Sequence, residues 1–364
     1  MHGLPPEIFF AIVDELDVAN PDDHKALHSL LFVSKQANAV ALRAIYQDII
    51  ICSKTPYHPQ LPTHDQLLRL LCSLSRDIEH NPGLRFTTTF SCLMTFICKY
   101  EDAVAHSREI NGVLGSIIPF LVNVRRVTIS LHCGPADPRI LRALPLSAPL
   151  SHLSILECGM GSDDLRDFLA SRPTLEWLNI YTSGHTRSIG RVHLPLNADA
   201  LPRILSLSID TVDIMFFENP LPSLVNLNLT NTWHLGPMSD AEVVRRMAPF
   251  AAITSCHLHR VHDVPSIINS LPRLEYLWVQ PTRLEFREAE YRALSTTKLR
   301  YLRCDSSFDT ARAFGSRMFD TVKTLVVVDI TAHFCETTIR MCHGNYQGPV
   351  FDQSEKWARC LVDS

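Results

Sequence analysis

The residues best equipped for chemistry in this 364-residue chain are three closely spaced histidines, His257, His259 and His262. If their segment is a strand, His257 and His259 project to one face, where two imidazoles could hold a metal. The competing reading is a histidine-rich polar face without a metal. Cysteine offers less. The nearest pairs, Cys92/Cys98 and Cys335/Cys342, lack the CxxC spacing of a zinc site. Cys342 and His343 are neighbours in sequence, and adjacent residues seldom face each other as nucleophile and base.

Motifs that encode a reactive geometry are missing. The sequence has no GxxxxGK[ST] or GxGxxG phosphate loop, no GxSxG elbow and no HExxH pair. The expectation is a protein without catalytic residues, metal or cofactor.

Composition sets further bounds. The 34 basic and 38 acidic side chains give a net charge of −4, and 46% of residues are hydrophobic. That balance fits a globular protein and argues against a nucleic-acid binder. The most apolar stretch, residues 112–124, is broken by Ser116, Pro119 and Asn123 and is too short to span a bilayer. The start, MHGLPPEIFFAIVDEL, lacks a basic leader, so no secretory signal is expected. Eleven cysteines at irregular spacing suit a reducing compartment, cytoplasmic or nuclear.

The first fifty residues read as three short helices. Leu4-Pro5-Pro6-Glu7 opens the first, with Ile8, Ile12 and Leu16 on one stripe beside Phe9 and Val13. Asn20-Pro21-Asp22-Asp23 starts a second, carrying Leu27, Leu30 and Leu31. Ser34 is the expected N-cap of a third, which would bury Ala37, Ala41, Ile45 and Tyr46. Ile49 to Ile51 follows as a β-prone run. Apolar side chains point to more than one face, so some serve either the rest of the chain or another protein.

The pattern LPPEIFFAIVDEL followed by LHSLLFVSKQANAVALRAIYQDIII closely resembles the F-box, over about residues 4–51. In that family the segment binds the Skp adaptor of a cullin–RING ubiquitin ligase. The resemblance assigns adaptor binding to Leu4, Pro5, Ile8, Ile12, Leu16, Leu30, Val33 and Ser34. It leaves open which of them face the adaptor and which the domain core. The loop Asp17 to His24 is longer and more acidic than the family pattern.

Beyond residue 120 an aliphatic–x–x–aliphatic–x–aliphatic template recurs. Its first positions are Val124, Leu150, Leu175, Ile204, Leu224, Ile253, Leu274, Leu299 and Val322. Their intervals run from 20 to 29 residues, the period of leucine-rich repeats. Pro173, Pro202, Pro222 and Pro272 each stand two residues before a first position, ending the preceding segment. Amphipathic helices are expected at 163–169, 264–271, 288–294 and 309–319. A strand and helix every 25 residues must stack on neighbours to bury their apolar sides.

This region resembles the leucine-rich repeats that follow the F-box in many fungal proteins, without their regular asparagine ladder. The fold class expected is α/β: a three-helix F-box, then an irregular repeat solenoid with a parallel sheet on its concave face. The boundaries are 1–52 for the helical domain, 53–120 for a linker and atypical repeats, 121–330 for the solenoid and 331–364 for a cap. Within the second segment, Asp65 would cap one helix, 85–91 would be a strand and 103–118 another helix. Trp357 and Leu361 are the expected cap contacts.

Strand alternation sends Trp177, Asn179, Tyr181, Asn228, His257, His259, Tyr276, Trp278, Tyr301 and Arg303 to the open face. For the last repeat the template places Thr324, Val326 and Val328 there. Trp, Tyr and Arg dominate protein–protein binding energy, so these are the candidate substrate-binding residues. The alternative is that the rings pack on one another or on the C-terminal segment. Two functions are carried forward: a Skp–cullin–F-box substrate adaptor binding a protein substrate, and a stand-alone leucine-rich scaffold.

Overall fold

The computed structural model describes residues 6–16, 20–52, 63–76, 82–95, 100–132, 139–156, 162–181, 201–210, 220–230, 240–259, 264–280, 286–306, 308–332, 337–342 and 345–351. The architecture is mixed α/β with a mostly parallel open sheet. The chain divides into two compact units, residues 1–174 and 175–364.

The first unit opens with three helices, α1 (Pro6–Asp14), α2 (Pro21–Leu30) and α3 (Lys35–Gln47). The starts of α2 and α3 follow from side-chain capping. Asn20 Oδ1 accepts the Asp22 amide at 3.0 Å, and Ser34 Oγ accepts the Ala37 amide at 3.0 Å. Asn38 Nδ2 donates to the Leu31 carbonyl at 2.8 Å, tying the α2–α3 turn to α3. Val13, Leu27, Ala37 and Val40 make a small buried core, with Leu16, Leu30, Ala44 and Ile45 packed around it.

Helix α3 runs directly into β1 (Asp48–Cys52), so the β-prone isoleucines begin the sheet. After α4 (His64–Arg76) and a 3-10 turn at Pro82–Phe86 come β2 (Thr89–Thr95), α5 (Tyr100–Ile117), β3 (Arg126–His132), α6 (Arg139–Arg142), β4 (His152–Leu156) and α7 (Ser162–Ala170). Strands β1 to β4 pair in order, all parallel. Two expectations shift here. Gln66 Oε1 accepts the amide of Thr63, making Thr63 rather than Asp65 the start of α4. The strand expected at 85–91 begins at Thr89, because residues 82–86 form the turn that Gly83 makes against Tyr46. A Cβ at Gly83 would stand 2.5 Å from that ring.

In the second unit β5 (Trp177–Tyr181), β6 (Ser206–Asp210), β7 (Asn226–Thr230), β8 (Ser255–His259), β9 (Tyr276–Gln280), β10 (Tyr301–Ser306) and β11 (Val327–Ala332) are parallel neighbours. Strands β12 (Thr337–Cys342) and β13 (Asn345–Phe351) then add antiparallel. Helices α8 (Asp240–Met247), α9 (Val264–Asn269), α10 (Glu288–Ser295) and α11 (Phe308–Thr321) pack side by side, each on the next.

The template positions form the core as three continuous rows. Leu175, Ile204, Leu224, Ile253, Leu274, Leu299 and Leu325 are buried where the strands begin. The next row is Leu178, Leu207, Leu227, Cys256, Leu277, Leu302 and Val328, and the third runs from Ile180 to Ile330. Burying each large aliphatic side chain contributes roughly 1.5–3 kcal/mol, so these rows dominate the stability of the unit.

A second regularity joins the repeats. In each, one carbonyl accepts two consecutive amides of the next repeat. Glu176 O takes Leu205 and Ser206, Leu205 O takes Val225 and Asn226, and Arg300 O takes Val326 and Val327. Hydroxyls reinforce this ladder in place of asparagines. Ser223 Oγ donates to Pro202 O at 2.9 Å, and Thr324 Oγ1 to Leu299 O at 2.7 Å.

This ladder corrects the last template. Tyr301 pairs with Val327, so the repeat begins at Leu325, and its outward residues are Val327, Asp329 and Thr331. The sequence template matched three residues early because aliphatic–x–x–aliphatic occurs twice per repeat. Val322 and Leu325 bound the tight turn before the strand, as Leu271 and Leu274 do, with Leu325 N donating to Val322 O and Leu274 N to Leu271 O.

Candidate binding face of the second unit

Strand register lines up the outward residues of the second unit. One row reads Asn179, Ser208, Asn228, His257, Trp278, Arg303, Asp329 and Arg340 from β5 to β12. Beside it runs a row containing Trp177, Ser206, Asn226, Ser255, Tyr276, Tyr301 and Val327. These rows hold eight of the ten residues expected on this face, and His259, paired with Thr230 and Gln280 in the next row, is the ninth. Tyr181 ends β5, and its side chain lies outside the described residues, as do those of Leu4 and Pro5 in the first unit.

The middle of the first row is a stack. The His257 and Trp278 rings lie 3.9 Å apart and 8° from parallel. On the next strand the Arg303 guanidinium sits over the Trp278 ring at 4.2 Å, a cation–π contact. Tyr276 and Tyr301 stand 6.5 Å apart in the neighbouring row. The rings therefore pack partly on one another, and Arg303 is left only 4% exposed.

An ion-pair network closes the row. Asp329, 3% exposed, accepts from Arg340 Nε at 2.8 Å and Nη2 at 2.6 Å, a two-pronged charge-assisted pair. Tyr301 Oη also donates to Asp329. Asp329 holds Arg340 protonated more firmly than usual, mainly through the hydrogen bond and against the desolvation of burial. Neither Asp329 nor Arg340 is among the residues the sequence pointed to. Asp329 was hidden by the slipped template, and Arg340 lies on an antiparallel strand beyond the repeats.

His257 is chemically quiet. Burial, then the charges of His259 and Arg303, push its pKa down to about 3, so the imidazole is neutral at physiological pH. His259 Nδ1 donates to Gln280 Oε1. The two histidine rings meet edge to face at 6.2 Å, and among the described residues no group of three His, Cys, Asp or Glu converges on a metal position. His262 lies outside the described residues, as do Cys98, Cys335 and His343. Cys92 is pushed up to about 12 by burial and then by Cys52, while burial also raises Cys256 and Cys304. These thiols pack as apolar groups and are poor nucleophiles.

No family model and no curated protein matches this chain.

The helical start of the first unit carries a different surface. Ile8, Phe10 and Ile12 on α1 are exposed, Ile8 at 41%. Phe32 and Val33, in the α2–α3 turn, are 88% and 63% exposed. Of the residues assigned by the F-box resemblance, Ile8, Ile12 and Val33 face outward, Leu16 and Leu30 pack on the small core, and Ser34 caps α3. Phe10 and Phe32 belong with the exposed set, and the family pattern does not single them out. Among the described residues no helix is long and apolar enough to cross a membrane.

Proposed function

We propose that this chain is a substrate-recognition adaptor of a Skp–cullin–F-box ubiquitin ligase, its N-terminal helices an F-box and its later part a leucine-rich-repeat solenoid. The observation that carries the reading is the exposure of Ile8, Phe10 and Ile12 on α1 and of Phe32 and Val33 in the α2–α3 turn, beside helices that already own a buried core. Their burial in a partner would gain about 25 cal/mol per Å² of apolar surface.

The second unit then holds a protein substrate on the face built by His257, Trp278, Arg303, Tyr276 and Tyr301. No bond is made or broken by the chain. It acts by raising the effective concentration of substrate lysines near a charged conjugating enzyme. The reading is tested by reconstituting the full chain with a Skp adaptor, cullin and RING subunit and following ubiquitin transfer to co-purified protein. Transfer that is independent of the chain would overturn it. The competing scaffold reading needs Leu4, Pro5 and Ile8 buried against the repeats; Leu4 and Pro5 lie outside the described residues, and the exposure of Ile8 weighs against it.

A further inference from the structure

Among the described residues, two buried polar atoms on adjacent strands of the open face have no hydrogen-bond partner. Asn228 Oδ1 and His257 Nε2 are both withdrawn from water and unbonded. They belong to residues directly opposite each other on β7 and β8. A buried polar atom left unpaired costs about 1–3 kcal/mol, and such atoms are rare unless something absent from the free protein satisfies them. Their neighbours are committed elsewhere. Trp278 stacks on His257 and fixes the plane of the imidazole, while the ring of Trp278 is itself held under Arg303.

We propose that Asn228 and His257 form a docking point for the uncharged main-chain N–H and C=O of one residue in an extended segment of the bound chain. The N–H of one residue of that segment donates to Asn228 Oδ1, and the carbonyl of the same residue, which points the same way in an extended chain, accepts from His257 Nε2–H. This rests on the reading that the face binds a protein segment and names the group it recognises. The chemistry fits in three ways. Asn228 carries both a donor and an acceptor, so a carboxamide turned by 180° still meets an amide. His257 is neutral and asks for no counter-charge, which disfavours a phosphate or carboxylate at this point. The nearest guanidinium, that of Arg303, is occupied with the Trp278 ring.

The test uses the full chain and an array of acetylated, amidated decapeptides of varied sequence. The strongest binder is resynthesised with each main-chain nitrogen methylated in turn. One methylation should weaken binding to the wild type at least tenfold and leave binding to Asn228→Leu unchanged. His257→Phe, which keeps the stacked ring, should weaken binding of the parent peptide about tenfold. Both variants should melt at or above the wild type without peptide, since each replaces an unpaired polar atom by an apolar one.

Methylation effects that persist in Asn228→Leu overturn the inference, as does wild-type affinity in His257→Phe or a large loss of stability in the variants. Absence of any binding peptide also contradicts it. Trp278→Ala separates the two levels. If it leaves peptide binding untouched, the face is not the binding site. If it abolishes binding while the Asn228 and His257 variants do not, only the amide docking point fails.

Discussion

Arg340 grips the carboxylate of Asp329 with two nitrogens, at 2.8 and 2.6 Å, from a strand that runs against all the repeats before it. The antiparallel β12 thus does more than cover a sheet edge. It supplies the cation that lets a buried aspartate sit at the end of the aromatic row.

Removing one member of a buried pair leaves the other uncompensated, with a cost of about 3 kcal/mol or more. Arg340→Ala, which strands the buried Asp329 carboxylate, should lower denaturant stability by roughly that amount, while Asp329→Ala leaves only the half-exposed Arg340 uncompensated and should cost less. Equal and negligible effects in chemical unfolding would show that the pair does not hold the end of the row.

Position along the template decides a second contrast. Leu277 is fully buried in the middle core row, and Leu277→Ala should cost about 2–5 kcal/mol. Tyr276→Ala, one residue away on the open face, should cost clearly less. Urea titration of both variants checks the order.

Acid should act through His257. Its pKa is about 3 in the folded chain and the ordinary value of 6.5 in the unfolded one, so between those limits the unfolded state binds more protons. Stability contributed by the neutral ring is present above pH 6.5 and is lost as the pH falls towards 3. Relative to His257→Phe, the wild type should lose about 2–4 °C of melting temperature between pH 7 and pH 4.5. Parallel melting curves across that range would contradict the assignment.

Gly83 tests the junction of α3 and the sheet. A methyl group there meets the Tyr46 ring at 2.5 Å, so Gly83→Ala should destabilise by about 1–3 kcal/mol. Adding Tyr46→Ala should remove most of that penalty in a double-mutant cycle. Simple additivity would place the strain elsewhere.

Much of this was legible in the sequence because burial rows repeat. The template fell in register on Leu178, Leu207, Leu227, Cys256, Leu277 and Leu302, and the amphipathic stretches became α7, α9, α10 and α11. Ser34 is the cap its position implied. The face was legible for the same reason, since alternation follows once the core row is known. The last repeat was not, because Val322 and Leu325 are both buried and both fit the template. Asp329 and Arg340 depend on pairing between a parallel and an antiparallel strand, which no local pattern encodes. The division of Ile8, Ile12 and Leu16 between surface and core was equally out of reach, because all three lie on one hydrophobic stripe and differ only in what packs above them.

The account turns on whether the exposed patch of α1 and the α2–α3 turn is a docking surface. Titration calorimetry of the full chain with a purified Skp adaptor measures this directly, using Val33→Asp and Ile12→Asp beside the wild type. Both sites are exposed, so the substitutions should change stability by no more than about 0.5 kcal/mol. The account predicts tight one-to-one binding by the wild type and at least a hundredfold weakening in each variant. No binding by the wild type, or equal affinity in all three proteins, would contradict it.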